Sequence, residues 1–350
     1  MIYIRNDSVD PYFNLALEEY VLHNFTDDDY LLLWQNDRTI VIGKHQNASE
    51  EVNIKRAEEL GVRVVRRNTG GGAVYHDMGN LNFSYITDWI PDKNMNYDTF
   101  LKPVIRALER FGVHAHKEGR NDLVVDGRKI SGNAQCMHRG RILHHGTLLI
   151  CSELSLMPEL LNVKTDKIES KGIKSVRSRV ANINEVASEA VDFELLKDAL
   201  LDSFFGRGGR SESFEICKAL ESGEPLDRTM CMGRSERVLT DTQIAEIEKL
   251  RKDKYETWDW NFGLSADYRF KNARRFPGGS VEVRLDVRNG VIERCKIFGD
   301  FLALISVAEL ESAVVGCMVD ESELRGALDG FDIRRYYGIT LDELLECFAE

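Results

Sequence analysis

The most informative chemistry in the chain lies at residues 66–84, RRNTGGGAVYHDMGNLNFS. Three successive glycines, Gly70, Gly71 and Gly72, leave backbone N–H groups open to close approach, and Arg66 and Arg67 add fixed positive charge just upstream. That combination can cradle an anion such as a phosphate. A glycine triplet by itself reads as a flexible turn. The polar residues that follow, His76, Asp77, Asn80 and Asn82, exceed what a solvated turn requires and favour the anion reading. The spacing matches neither G-x-x-x-x-G-K-[ST] nor G-x-G-x-x-G, because Tyr75 stands where the last glycine belongs, so a third type of nucleotide loop is required.

In GRNDLVVDGRKISGNAQ, residues 119–135, Asp126-Gly127 marks a hairpin between two strands. The two-residue period of a strand predicts that Lys129, Ser131 and Gln135 point the same way. A lysine in a strand is ordinarily solvated, but the small neighbours Ser131 and Gly132 leave room for a ligand beside this ammonium. Asp122 could hold a magnesium ion or cap the turn. Within GRILHHGTLLI, residues 140–150, His144 and His145 face opposite sides of a strand, so they are not a metal pair and at most one faces a site. His114 and His116 share a face but lack a third ligand nearby. Residues 164–179 carry six basic side chains (Lys164, Lys167, Lys171, Lys174, Arg177, Arg179) and two acidic ones. Such a run is usually a solvated loop; in an acidic chain it is also a natural cover for a polyphosphate.

Elements of both kinds must position these residues. Asp10-Pro11 supplies an N-cap and a first-turn proline, and Phe13, Leu17, Tyr20 and Val21 recur at helical spacing, predicting a helix from 11 to about 24. Short β-type runs follow at 30–34, 39–43, 62–65 and 81–86, with a helix at 48–60 between the second and third. A helix at 97–111 precedes a strand near 113–116, and 141–150 is a further strand. Helices at 192–205 and 241–252 flank a polar, glycine-bearing stretch. Beyond a boundary near 253–257, VEVRLDV and VIERCKIF flank Arg288-Asn289-Gly290 as a hairpin, and helices at 306–315, 320–328 and 340–348 complete a small α+β unit.

A chain of 350 residues suits two domains at about 150 residues each. The 46 basic and 58 acidic residues give a net charge of −12, which argues against a general nucleic-acid or anionic-membrane binder. Residues 300–350 hold twelve acidic and three basic residues, marking a distinct C-terminal unit, whereas all eight histidines fall within the first 145 residues. Seven scattered cysteines without a C-x-x-C pair fit reduced thiols better than disulfides or zinc. With no signal-peptide pattern at the N-terminus and no long apolar run, the chain reads as cytoplasmic.

Taken in order, RR-x-x-GGGAV-x-HD-x-GN, GRNDLVV with its K-x-SG-x-A, HHGTLL and KGI-x-SVRSRV resemble the lipoate–protein ligase family. WDWNFG at 258–263, followed by the hairpin, resembles the accessory domain of its two-domain members, so the resemblance covers nearly the whole chain. It implies an α+β fold: a biotin/lipoate-ligase-like mixed β-sheet catalytic domain over 1–252 and a small α+β accessory domain over 253–350. It also implies a reaction in which ATP and lipoate, with Mg²⁺, give lipoyl-AMP and pyrophosphate. A lysine of a lipoyl domain then takes the acyl group, the acceptors being 2-oxoacid dehydrogenase acyltransferase subunits or the glycine-cleavage H protein. Arg67 and the run Gly70, Gly71, Gly72, Ala73, Val74 and Tyr75 would bind lipoate and the nucleotide phosphates. Lys129 would touch both carboxylate and α-phosphate. Lys171, Gly172, Ser175 and Val176 would close over the adenylate. His76, Asp77, Asn80, Asn121, Asp122, Ser131 and His145 lie in family motifs and are expected at the ATP/lipoate site, with Asp122 as the Mg²⁺ ligand.

The chemistry agrees with that expectation. Joining a carboxylate to an α-phosphate brings two anions together, so the protein needs cations and backbone donors and no nucleophile of its own. The alternative is an ATP-independent octanoyl or lipoyl transferase carrying the acyl group on a cysteine, because Cys136 and Cys151 sit beside matched motifs. A catalytically silent acyl-nucleotide binder is a third reading, opposed by the presence of Lys129 and both loops.

Overall fold

The structure, a computed structural model, describes residues 1–90, 97–162, 180–206, 235–262, 270–304, 306–333, 336–337 and 339–348. The expected basic cover at 164–179, with Lys171, Gly172, Ser175 and Val176, lies outside the described residues, as does most of the polar stretch at 206–235.

Among the described residues the first unit is built on two sheets. The strands in chain order are β1 (Ile2–Ile4), β2 (Tyr30–Trp34), β3 (Thr39–Ile42), β4 (Arg63–Arg66), β5 (Val74–His76), β6 (Asn80–Asp88), β7 (His116–Glu118), β8 (Asp122–Val125), β9 (Arg128–His138), β10 (Arg141–Leu149) and β11 (Glu236–Arg237). Eight of them form a mixed sheet in the order β11-β1-β2-β6-β10-β9-β8-β7, and β4-β3-β5 form a second, smaller one. The long antiparallel middle, β6-β10-β9, pairs Ser84 with His145 and His145 with Ala134.

Helix α1 (Pro11–Asn24) starts where the Asp10 side chain accepts from the Tyr12 amide and Pro11 fits the first turn. It is buried on most sides, and its buried set includes the polar Asn14, Glu18 and Glu19 beside Leu15, Leu17 and Leu22. The helix expected at 48–60 is instead two, α2 (Ala48–Glu51) and α3 (Ile54–Glu59). Asn47 and Asn53 each cap one of them, and Val52 between them bridges to Leu161, so the chain cannot continue helically there. Helix α4 (Tyr97–Glu109) packs with the helix Phe193–Phe204 over Leu101, Val104, Leu196 and Leu200. The strand expected near 113–116 is found at His116–Glu118.

The hairpin turns follow the sequence closely. Asp126 and Gly127 have φ of 50° and 72°, and Asn289 and Gly290 have 53° and 80°, the left-handed pair that a two-residue hairpin turn demands. The C-terminal unit has a three-stranded antiparallel sheet, Phe270–Phe276, Gly279–Arg288 and Val291–Gly299, covered by Ala308–Val314, Glu321–Leu328 and Leu341–Glu346 around Val281, Leu285, Phe301 and Phe348. Between the units, residues 251–262 form a strap. Its Lys254 and Tyr255 reach Glu19 of α1 at 2.7 and 2.6 Å, and its Trp260 and Asn261 clamp Arg66 of β4.

Candidate active site

The two upstream arginines turn out to shape backbone more than they offer charge. Arg66 is fully buried, and its guanidinium donates to the carbonyls of Gly43, Lys44, Gln46, Trp260 and Asn261 at 2.6–3.1 Å. It is therefore a cross-brace between the strap and the segment after β3, which corrects the expectation that it faces an anion. Arg67 donates through Nε to Thr69 Oγ1 at 2.9 Å and through its terminal nitrogens to the carbonyls of Val41, Gly70 and Gly72. Four of its five N–H groups are thus committed, and one on Nη1 is left for a ligand. Burial pushes both guanidinium groups down to about 10, so both remain charged near neutral pH.

The glycine-rich loop is folded around Arg67. A Cβ on Gly43 would lie 1.9 Å from the Gly71 carbonyl, and Gly71 itself has φ of 90°, so neither position admits a side chain. Gly71 donates its amide to the carbonyl of Phe301 at 3.2 Å. Ala73 leads into β5, where Val74 pairs with Val41 and Tyr75 with Ile40. Tyr75 packs with Ile40 and Ile42 in a separate core, so its side chain points away from that of His76.

His76 brings an imidazole to the buried centre. Its Nδ1 accepts from Asn36 Nδ2 at 3.1 Å, which leaves Nε2 as a buried N–H without a partner among the described residues. Burial, with Arg67 and His145 nearby, pushes it down to about 3, so it is neutral. Asp77 accepts from the amides of Gly79 and Glu153 at 2.8 and 2.7 Å and is thereby occupied in the turn before β6. Asn80 donates to Asn82 at 3.0 Å, and its buried Oδ1 lacks a partner among the described residues.

His145 lies at the middle of the large sheet. It faces Glu18 of α1 through Nδ1 at 2.8 Å and Thr69 through Nε2 at 2.8 Å. The Ser84 hydroxyl donates to the same Glu18 oxygen at 2.6 Å and accepts from Trp34 Nε1 at 2.8 Å. His144 lies on the opposite face, as expected, with Gln135 Nε2 donating to its Nδ1 at 3.0 Å and Phe100 stacked on it at 4.7 Å.

One strand irregularity decides where Lys129 points. Lys129 is opposite Val124 and Ser131 is opposite Leu123, so Ile130 is an extra residue, a β-bulge. The bulge inverts the alternation, and Ser131 and Gln135 face away from Lys129, contrary to the two-residue period. Ser131 is fully buried, with Asn133 Nδ2 donating to its hydroxyl at 3.2 Å. Lys129 instead shares its face with Asp122, whose carboxylate it meets at 2.7 Å, and with Gly132, where a Cβ would lie 2.8 Å from Nζ. Farther along that face of β9 come Ala134, opposite His145, and Cys136. Asn121 locks the hairpin by exchanging hydrogen bonds with Asn133. Ala181, just past the basic segment, donates its amide to the Lys129 carbonyl at 2.9 Å.

The site therefore unites Lys129, Asp122, His145, His76, Asn80, Arg67 and the glycine loop around one face of the large sheet. It does not bring in the side chains of Tyr75, Asp77 or Ser131. Sequence reading missed Glu18, Thr69 and Lys44. Glu18 carried no local signal that sets it apart from Glu19 beside it. The ammonium of Lys44, a half-buried residue beside Cys136, makes no hydrogen bond or ion pair with the described residues and is pushed down by burial. The cysteines are poor nucleophiles: burial pushes the Cys136 thiol up to about 12, and partial burial together with Asp77 raises that of Cys151.

Residues 10–205 match the model of the lipoyl protein ligase A/B catalytic domain, and residues 265–348 that of the bacterial lipoate protein ligase C-terminus. The chain belongs to the lipoate–protein ligase family. Lipoate-protein ligase LplJ of Bacillus subtilis is 44% identical over 350 residues, covering 99% of each chain. Among solved structures, P. falciparum LipL1 in complex with lipoate superposes with a TM-score of 0.77 at 26% identity over 99% of this chain and 98% of that one. The bipartite lipoate protein ligase of Thermoplasma acidophilum, studied with its E2 lipoyl domain, gives 0.60 at 28% identity over 77% and 98%. A lipoate-protein ligase A bound with ATP gives 0.59 at 26% identity over 75% and 98%. The three solved structures share the α+β architecture described above over 99%, 77% and 75% of this chain.

Proposed function

We propose that this chain activates lipoate with ATP and passes the lipoyl group to a lysine of lipoyl-domain proteins, namely 2-oxoacid dehydrogenase acyltransferase subunits or the glycine-cleavage H protein. The catalytic domain spans 1–252 and the accessory domain 253–350, with the boundary inside the strap. The cytoplasm is the proposed compartment; no described helix is long and apolar enough to cross a membrane.

The observation that carries the reading is the face of β9. Lys129 stands at one end and His145, opposite Ala134, at the other, roughly 15 Å of strand apart, with Gly132 the one residue of β9 between Lys129 and Ala134 on that face. An extended acyl chain fits that path, with its carboxylate at Lys129 and its apolar end toward Trp34 and His76. In the first step a carboxylate oxygen attacks the α-phosphorus and pyrophosphate leaves. Lys129 holds the attacking oxygen and the α-phosphate together, and the loop amides with the remaining Arg67 N–H meet the growing negative charge. In the second step the acceptor lysine attacks the acyl carbonyl, AMP leaves and the amine loses its proton; the fixed positive charge of Lys129 favours that amine in its neutral form.

Among the described residues no three acidic, histidine or cysteine groups gather for a metal. A single carboxylate, Asp122, suits Mg²⁺, which is commonly held by one or two carboxylates with substrate phosphates and water. When bound, the ion would supply charge neutralisation on the phosphates. Lipoate-dependent exchange of pyrophosphate into ATP tests the first step, and intact-mass measurement of a lipoyl domain after incubation tests the second. Acyl transfer from an acylated carrier without ATP would reverse the reading toward the transferase.

A further inference from the structure

Glu18 is buried at 2% exposure, far from water, yet carries a carboxylate. A buried charge is retained only when it is paired or fully hydrogen-bonded. Its Oε1 receives the Ser84 hydroxyl at 2.6 Å and lies 2.8 Å from His145 Nδ1. Ser84 Oγ receives Trp34 Nε1, which leaves the serine hydrogen for Glu18. On the far side of the ring, His145 Nε2 lies 2.8 Å from Thr69 Oγ1, and Thr69 Oγ1 receives Arg67 Nε.

With Glu18 as its carboxylate and the ring neutral, only one arrangement of hydrogens satisfies every contact. His145 carries its proton on Nδ1 and gives it to Glu18; Nε2 then accepts from the Thr69 hydroxyl, whose lone pair accepts from Arg67. The Glu18 carboxyl group and the Arg67 guanidinium are joined through His145 and Thr69. Arg67 is the hub of the glycine-rich loop, since its other bonds go to the Val41, Gly70 and Gly72 carbonyls. Helix α1 is thereby linked, through four hydrogen bonds, to the backbone that would hold the substrate's charged groups.

We infer that Glu18 and Thr69 are positioning residues, which set the His145 tautomer and through Arg67 hold the glycine-rich loop in its substrate-binding shape. This rests on the proposed lipoate-activating reading for what the loop binds, but the relay is a property of the protein alone. A hydrogen-bonded chain with one fixed direction passes a disturbance at Glu18 to the loop, and a misplacement of about 1 Å there commonly costs about 10²-fold in rate.

The test combines two readouts. Histidine ¹⁵N spectra of the full chain, with His145 assigned by substitution, should show the Nδ1–H tautomer in the wild type and its loss in Glu18→Ala. Finding Nε2–H in the wild type, or an unchanged tautomer in Glu18→Ala, overturns the inference. In pyrophosphate exchange, Thr69→Val should lose about 10²-fold in kcat/KM while Thr69→Ser, which keeps the hydroxyl, stays within a few-fold of wild type. Glu18→Gln with Thr69→Val should be no worse than Thr69→Val alone, because both break one chain. Equal activity of Thr69→Val and Thr69→Ser, or additive losses, overturns it as well. Should Glu18→Ala fail to fold, Glu18→Gln and the two threonine variants still decide. A wild type that shows the Nδ1–H tautomer but no lipoate-dependent exchange sinks the substrate reading and leaves the relay standing.

Discussion

The amide of Gly71 donates to the carbonyl of Phe301 at 3.2 Å, so the middle donor of the glycine triplet is taken by the C-terminal unit. The same segment lies against Gly70, where a Cβ would meet the Phe301 carbonyl at 2.4 Å. Offering all three amides to an anion therefore requires residues 299–304 to part from the loop. Gly70→Ala should force that parting at a cost of about 1–3 kcal/mol, the usual range for overpacking. Hydrogen exchange should quicken over 299–304 and the melting temperature should fall. Unchanged exchange there would mean that the segment is held by contacts other than the loop.

Lys129→Ala should abolish most adenylation without unfolding the protein. The ammonium is half-exposed, and its pairing with Asp122 is of the kind that contributes little to stability, so the change should stay within about ±0.5 kcal/mol. Losing a preorganised charge contact at the reacting atoms commonly costs about 10² to 10³ in rate. Lys129→Arg should also be poor, because the space over Gly132 admits a compact ammonium and a planar fork is wider. Pyrophosphate exchange and melting temperatures on both variants are the check; near-normal exchange in Lys129→Ala removes it from the centre.

How much of this was legible depends on the range of the interaction. Local signals carried through: Asp10-Pro11 starts α1, and Asp126-Gly127 and Asn289-Gly290 turn their hairpins with positive φ. A bulge has no sequence signature of that strength, and the single extra residue Ile130 was enough to turn Ser131 away from Lys129. Arg66 read as anion-binding because its real partners, Trp260 and Asn261, are nearly two hundred residues away in sequence. Glu18 was hidden for the same reason: only the folded sheet brings Ser84 and His145 to its carboxylate.

Arg66→Lys separates bracing from binding. A lysine has three donors and no fork, so it leaves at least two of the five carbonyls unsatisfied, and each costs about 1–3 kcal/mol. A loss of at least about 2 kcal/mol in urea unfolding is expected, with residual exchange activity tracking the folded fraction. A stable variant with weakened ATP binding would instead return Arg66 to the anion site.

Cysteine replacement discriminates ligase from transferase chemistry. With the Cys136 thiol pushed up to about 12 and that of Cys151 raised, neither supplies a thiolate at neutral pH. Cys136→Ala and Cys151→Ala should keep most activity, and intact-mass spectra of the wild type with substrates should show no thioester adduct. An adduct together with an inactive, folded variant would overturn the acyl-adenylate route.

Stability should fall steeply on mild acidification because of three buried imidazoles. Burial pushes His45 and His76 down to about 3 and His144 well below 6.5, while each titrates near 6.5 once unfolded. The folded values lie below the unfolded ones, so between them the unfolded chain binds more protons and stability rises with pH. Lowering the pH from 7.5 to 5.5 then costs about 1.4 kcal/mol for each of His45 and His76, roughly 3 kcal/mol for the pair, and His144 adds in the same direction. His45, stacked on Phe301 at 5.2 Å with no hydrogen bond from Nε2 to the described residues, offers the control. His45→Phe keeps the stacked shape and should remove about 1.4 kcal/mol of the pH dependence measured by urea midpoints. A flat profile in the wild type would mean that these imidazoles take up protons while still folded.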